Sequence, residues 1–162
     1  MSYPPPRYLG EGGEVVATFR HADQAPDLAS RTGSVHYLAT GASTGGDFGL
    51  YRWEMGPQPS GAGPHFHRTM SESFFVLAGV VRVTDGPRSF DATEGDFLHV
   101  PPGGIHGFRN ESGDEASMLI LFVPGAPREE YFETLARWSL AGYQPTDEES
   151  AELFERHDNH YI

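Results

Sequence analysis

Four residues of this chain have the types and spacing to do chemistry together. Three stand in one stretch, His65-Phe66-His67-Arg68-Thr69-Met70-Ser71-Glu72; the fourth, His106, follows the tight Pro101-Pro102-Gly103-Gly104 run. If the first stretch runs into a strand, alternation puts His65 and His67 on one face. Their α-carbons are then about 6–7 Å apart, a spacing at which two imidazoles grip one metal ion. Glu72 heads the next strand-like run and could close in from beside them. Three neutral imidazoles and one carboxylate make a donor set for one divalent transition ion (Fe, Mn, Ni, Co, Cu or Zn) and a poor one for Mg or Ca. Glu72 is the only carboxylate of the four, and so the candidate catalytic base. The competing reading is four structural side chains satisfied by hydrogen bonds.

Candidate substrate contacts follow from the same alternation. Phe74 shares the face of Glu72, with Val76 beyond it. Tyr51 and Trp53 share a face of an earlier strand and could stack on a planar ligand, while Arg52 faces the other way. His99 shares a face with Phe97 and Pro101 and either lines a cavity or faces out. Packing is the ordinary role of each. His36 is a weaker candidate; His21, His157 and His160 read as solvated.

The elements that must position these residues are short strands. Gly and Pro together account for 33 of 162 residues, a composition at home in a turn-rich β domain. Strand-like runs are Glu14–Phe19, Ser34–Thr40, Phe48–Met55, Ser73–Leu77, Val80–Thr84, Phe97–Val100, Gly107–Arg109 and Ser117–Val123, with Ser60–Pro64 reading as a loop. Residues 1–13 read as an extended arm, 14–125 as a β-barrel or sandwich and 126–162 as a helical extension. In that extension Pro127 suits a first helical position. Tyr131, Phe132, Leu135 and Trp138 form an apolar stripe read as packing, and Thr146 with Glu149 forms a capping box for a second helix.

The net charge is −12, which argues against nucleic acid or an anionic membrane as partner. There is no cysteine, hence no disulfide or thiol nucleophile. The N-terminal residues have no apolar core of a signal peptide, and the run Met118–Val123 is far too short to span a bilayer. A cytoplasmic location is the expectation.

Two motifs carry a resemblance. His65-x-His67-x₄-Glu72-x₆-Gly79 resembles the first cupin motif, and Gly95-x₅-Pro101-x-Gly103-x₂-His106-x₃-Asn110 matches the second at every defined position. One departure is Pro59, where the family usually has Gly; Gly61 and Gly63 lie close by. The resemblance implies an all-β fold, a double-stranded β-helix or jelly-roll barrel, here with two C-terminal α-helices. It implies His65, His67, Glu72 and His106 as metal ligands, and Gly95, Pro101, Gly103 and Asn110 as structural residues. The activity it suggests is that of a quercetinase-like dioxygenase acting on a small enolic or phenolic substrate. A non-redox cyclase or isomerase, or a non-enzymatic ligand-binding module, are the alternatives. A homodimer is also expected, because open sheet edges invite a partner and the arm with Glu14–Phe19 is free to cover one.

Overall fold

A computed structural model describes residues 2–162; Met1 of the arm lies outside the described residues. The chain runs β1 (Leu28–Ala29), β2 (Gly33–Ala39), β3 (Gly49–Met55), β4 (Ser60–Phe66), β5 (Ser71–Ala78) and β6 (Val80–Thr84). It continues through β7 (Ser89–Thr93), β8 (Phe97–Val100), β9 (His106–Asn110) and β10 (Ala116–Val123). Helices α1 (Glu129–Ala141) and α2 (Asp147–Arg156) follow, and a last strand, β11 (His160–Tyr161), closes the chain. Every pairing is antiparallel. One sheet has the order β1-β2-β3-β10-β5-β8 and the other β11-β4-β9-β6-β7. This is the double-stranded β-helix expected from the motifs.

Period-two patterning builds the core between the sheets. Along β10, Ala116, Met118, Ile120 and Phe122 are buried, while Ser117, Leu119 and Leu121 are only half-buried. Tyr51 and Met55 come in from β3, Phe74 and Val76 from β5, Val81 and Val83 from β6. The cluster continues into Tyr131 and Phe132 of α1 and Leu153 of α2, so the helices are tied to the barrel by its own core.

Turn chemistry explains the closing residue of each motif. Gly79, between β5 and β6, has φ of +74°, and a Cβ there would lie 2.4 Å from the Glu115 carbonyl oxygen; only glycine fits. Asn110 is fully buried. Its amide donates to the carbonyls of Gly56 and Asp114 (2.9 and 2.7 Å) and accepts from the Ser112 backbone N–H and hydroxyl (3.1 and 2.8 Å). All four hydrogen-bonding positions of the amide are used. Asn110→Ala is expected to cost about 2–3 kcal/mol, because the carbonyls of Gly56 and Asp114 lose their donors and the fully buried amide is removed from its turn. The check is a lower midpoint of urea unfolding at an unchanged slope.

The structure departs from the sequence reading at several places. Glu14–Phe19 is not a strand: Val15, Val16 and Phe19 are exposed, because adjacent valines point to opposite sides and leave no single apolar face to bury. The expected loop Ser60–Pro64 is instead most of β4. Gly61 is there for close approach: a Cβ on it would sit 2.1 Å from the Phe108 carbonyl oxygen. Strand β7 has only Ala92 inside and pairs with β6, so its apolar signal is too weak to read. Helix α1 begins two residues after Pro127, with Arg128 at its N-cap. For α2 the expected capping box is present, Thr146 Oγ1 accepting from Glu149 N and Glu149 Oε2 from Thr146 N.

Candidate metal centre

Two sheets and the chain terminus converge on one point. His65 lies in β4 and His106 in β9, directly paired across the ladder. The register between these strands shifts between Ala62 and His65, an irregularity that re-aims the following side chains. His67 stands one residue beyond β4. Glu72 enters from β5 of the opposite sheet, paired with Phe122 and Val100. All four are buried, and their ligand atoms lie within 4.8 Å of one another.

Each imidazole is held from behind. Nδ1 of His65, His67 and His106 donates to the carbonyl oxygens of Gly63, Asp158 and Gly104, at 2.8, 2.6 and 2.9 Å. That turns each Nε2 inward, the arrangement that orients imidazole ligands. Glu72 Oε2 accepts from Nε2 of His67 and of His106, at 2.9 and 2.7 Å. The donor set and its orientation fit a divalent transition ion, whose binding would replace those protons.

The electrostatics separate the ligands. Burial pushes the His65 imidazole down to about 4, with His106 as the next cause, so His65 is neutral at neutral pH. Burial opposes the ionisation of Glu72, but hydrogen bonds from His106 and His67 outweigh it and hold its carboxyl far below the usual range. Burial also opposes a charged His106, and Glu72 outweighs it, raising that imidazole above 6.5.

The sequence reading missed the chain terminus. Tyr161 pairs with His65 through β11 and stacks on its ring at 5.1 Å. Asp158 has a left-handed backbone, φ 55°. Its carbonyl holds His67, while its carboxylate accepts from the backbone of Arg68 and Thr69 and from the Thr69 hydroxyl. Only the Asp158-Asn159-His160-Tyr161 run after a capped helix hints at this role. His157, read as solvated, is buried against Tyr131, and His160 bonds the Asp158 carboxylate at 3.0 Å.

Burial opposes ionisation of Asp158, yet its donors, Thr69 first, hold the carboxyl down to about 2 against an ordinary 3.8. With the folded value the lower one, this anchor is at full strength above pH 3.8 and fades as pH falls toward 2. Asp158→Asn keeps the shape and tolerates the left-handed backbone. It is expected to weaken metal binding about tenfold at neutral pH, the low end for a partner that orients a ligand. Competition with a chelator measures this; equal affinity would mean that the carboxylate does not position His67.

A cavity of about 310 Å³ runs from His65 and Glu72 between the barrel wall and α1, past Trp53, Phe108, Phe132 and Leu135. Of the four candidate substrate contacts, Trp53 lines it. Tyr51 is buried behind the wall and bonds Glu129. Phe74 packs beside His106, ring centroids 5.9 Å apart, and faces a separate cavity of about 190 Å³. His99 faces outward on β8 and shares a hydrogen bond with Ser73. The aromatic stripe of α1, expected to serve packing alone, supplies Tyr131, Phe132 and Leu135 to the main cavity wall.

Comparison with known proteins gives the same frame. Residues 51–123 match the cupin domain family model. A quercetin 2,3-dioxygenase from Bacillus subtilis (strain 168) is 32% identical over 98 residues, which is 60% of this chain and 28% of that protein. The chain thus spans less than a third of that relative's length. Among solved structures, ectoine synthase from P. lautus superposes with a TM-score of 0.59 at 15% identity, over 74% of this chain and 87% of that one. KdgF from Halomonas sp. gives 0.57 at 16% identity, over 67% and 94%. Likeness at that identity shows the fold.

Proposed function

We propose that this chain, a cupin through its residues 51–123, is a metal-dependent dioxygenase acting on a small enolic or phenolic substrate. The observation that carries the reading is a buried cluster of three histidines and a glutamate at the end of an apolar cavity. The distant similarity to a quercetin 2,3-dioxygenase supports it. His65, His67, Glu72 and His106 would hold a transition ion, which would supply Lewis acidity.

The remaining work belongs to side chains. Glu72 accepts the proton of the enol or phenol. Trp53 and Phe132 offer aromatic faces to a planar ring. The apolar wall contributed by α1 keeps water from the reacting centre.

The test is elemental analysis of the purified protein, then oxygen uptake with a flavonol and a panel of β-diketones. Metal-dependent uptake supports the proposal. Conversion of substrate without oxygen consumption would replace it with a non-redox cyclase or isomerase, and binding without turnover would replace it with a ligand-binding module.

The protein is further proposed to form a homodimer through its exposed arm, where Val15, Val16 and Phe19 offer apolar surface. Sedimentation as a monomer at micromolar concentration would reject that assembly. Among the described residues no helix is long and apolar enough to cross a membrane.

A further inference from the structure

Arg128 is the one strongly basic side chain in the wall of the main cavity, and it is 3% exposed. Its Nη1 donates to the His157 carbonyl at 2.6 Å and its Nη2 to Asn159 Oδ1 at 3.2 Å. The guanidinium lies 4.6–5.4 Å from the ring centroids of Phe122, Tyr131 and Phe132. None of these partners carries a negative charge, and among the described residues no carboxylate forms an ion pair with Arg128. The acidic residues that follow it are engaged elsewhere: Glu129 accepts from Tyr51, and Glu130 lies 3.6 Å from Arg156.

The placement costs stability. A buried cation without a counter-ion is expensive, and Arg128 sits at the N-cap of α1, the positive end of the helix dipole. Aromatic faces offset part of that cost. Glu72 faces the same cavity, but its charge is shared with His67 and His106. Four buried side-chain groups on the cavity wall have no partner, Trp53 Nε1, Ser60 Oγ, Arg128 Nε and Nδ2 of Asn159, which is 2% exposed; the last two belong to side chains bonded to each other.

We infer that Arg128 and Asn159 form the anion-recognising end of the cavity and that its ligand is a small organic monoanion, a carboxylate. Its anionic oxygen meets these two donors, and its apolar body lies against Trp53, Phe108, Phe132 and Leu135. The inference deepens the proposed function by naming the charge of the substrate. It rests on that reading only for the claim that the ligand is turned over.

Benzoate and benzamide, alike in shape and different in charge, are the probes. Each is titrated calorimetrically into wild type, with and without metal, and into two variants. Benzoate is expected to bind wild type at least about tenfold more tightly than benzamide in both metal states, the scale of one charge-assisted contact. Arg128→Met keeps an apolar chain of similar length and should remove that preference. Asn159→Asp sets a carboxylate against the guanidinium in place of the ligand. It should weaken benzoate about tenfold or more while raising the melting temperature of the ligand-free protein, which also shows that the variant folds.

Equal affinity for the two probes, no binding of either, or benzoate affinity unchanged in both variants would each overturn the inference. So would binding that needs metal and ignores Arg128. If Arg128-dependent benzoate binding persists while no substrate drives oxygen uptake, the dioxygenase reading alone fails.

Discussion

Replacing both His65 and His67 by alanine is expected to strip the protein of nearly all its metal while leaving the barrel folded. Two of four ligands are lost, and the remaining pair, Glu72 and His106, are only 2.7 Å apart and bonded to each other. Affinity should fall by more than about a hundredfold, beyond what loss of an orienting partner alone produces. The fold should survive because the apolar core is made by other side chains. That cluster draws on β3, β5, β6, β9 and β10 and on both helices. What the double variant gives up in hydrogen bonds is those to Gly63, Asp158 and Glu72, about 1 kcal/mol each. Elemental analysis after dialysis, with circular dichroism alongside, makes the measurement. Metal content equal to wild type in a folded variant would move the site elsewhere and take the proposed function with it.

The second large effect is expected at Glu72. Glu72→Gln preserves the size and one oxygen, and removes the charge and the proton-accepting site. The variant should keep a substantial part of its metal, since three oriented imidazoles remain. Turnover should drop about a hundredfold or more, the ordinary worth of a general base. Single-turnover kinetics on a substrate found by the oxygen-uptake screen, at matched metal content, reads this. A wild-type rate would leave Glu72 as a ligand and nothing more. Interpretation is helped by its isolation: Glu72 is the only buried carboxylate in the cluster, and its two nearest partners are imidazoles. Asp96, the acidic residue of the second motif, is instead tied to Thr93 in a turn.

The contrast between the ligand cluster and the cavity is instructive. Exchanging Trp53 or Phe132 alters a wall that many apolar side chains could form, so specificity there resides in shape. The charge of the ligand, in contrast, turns on one guanidinium with no carboxylate beside it. The two terminal segments also differ in role. The arm leaves its apolar side chains exposed, whereas Asp158 and Tyr161 brace two of the cluster's histidines.

By itself the sequence determined the four convergent side chains, the turn residues around them and the all-β architecture. Much of this is local: period-two spacing puts His65 and His67 on one face, Gly79 takes the positive φ of its turn, and Asn110 bonds within its own turn at Ser112 and Asp114. It also determined the start of α2, because a capping box is complete within four residues. Only the tertiary structure decided which aromatics meet the cavity. Tyr51 and Trp53 lie on the same side of β3, yet α1 covers one and leaves the other against open space. Only it decided that Gly61 belongs to a strand, since the reason is the neighbouring backbone of Phe108. The roles of Arg128, Asp158, Asn159 and Tyr161 were likewise invisible. They depend on the terminus returning across about ninety residues to β4, and no local pattern encodes contacts made at that separation.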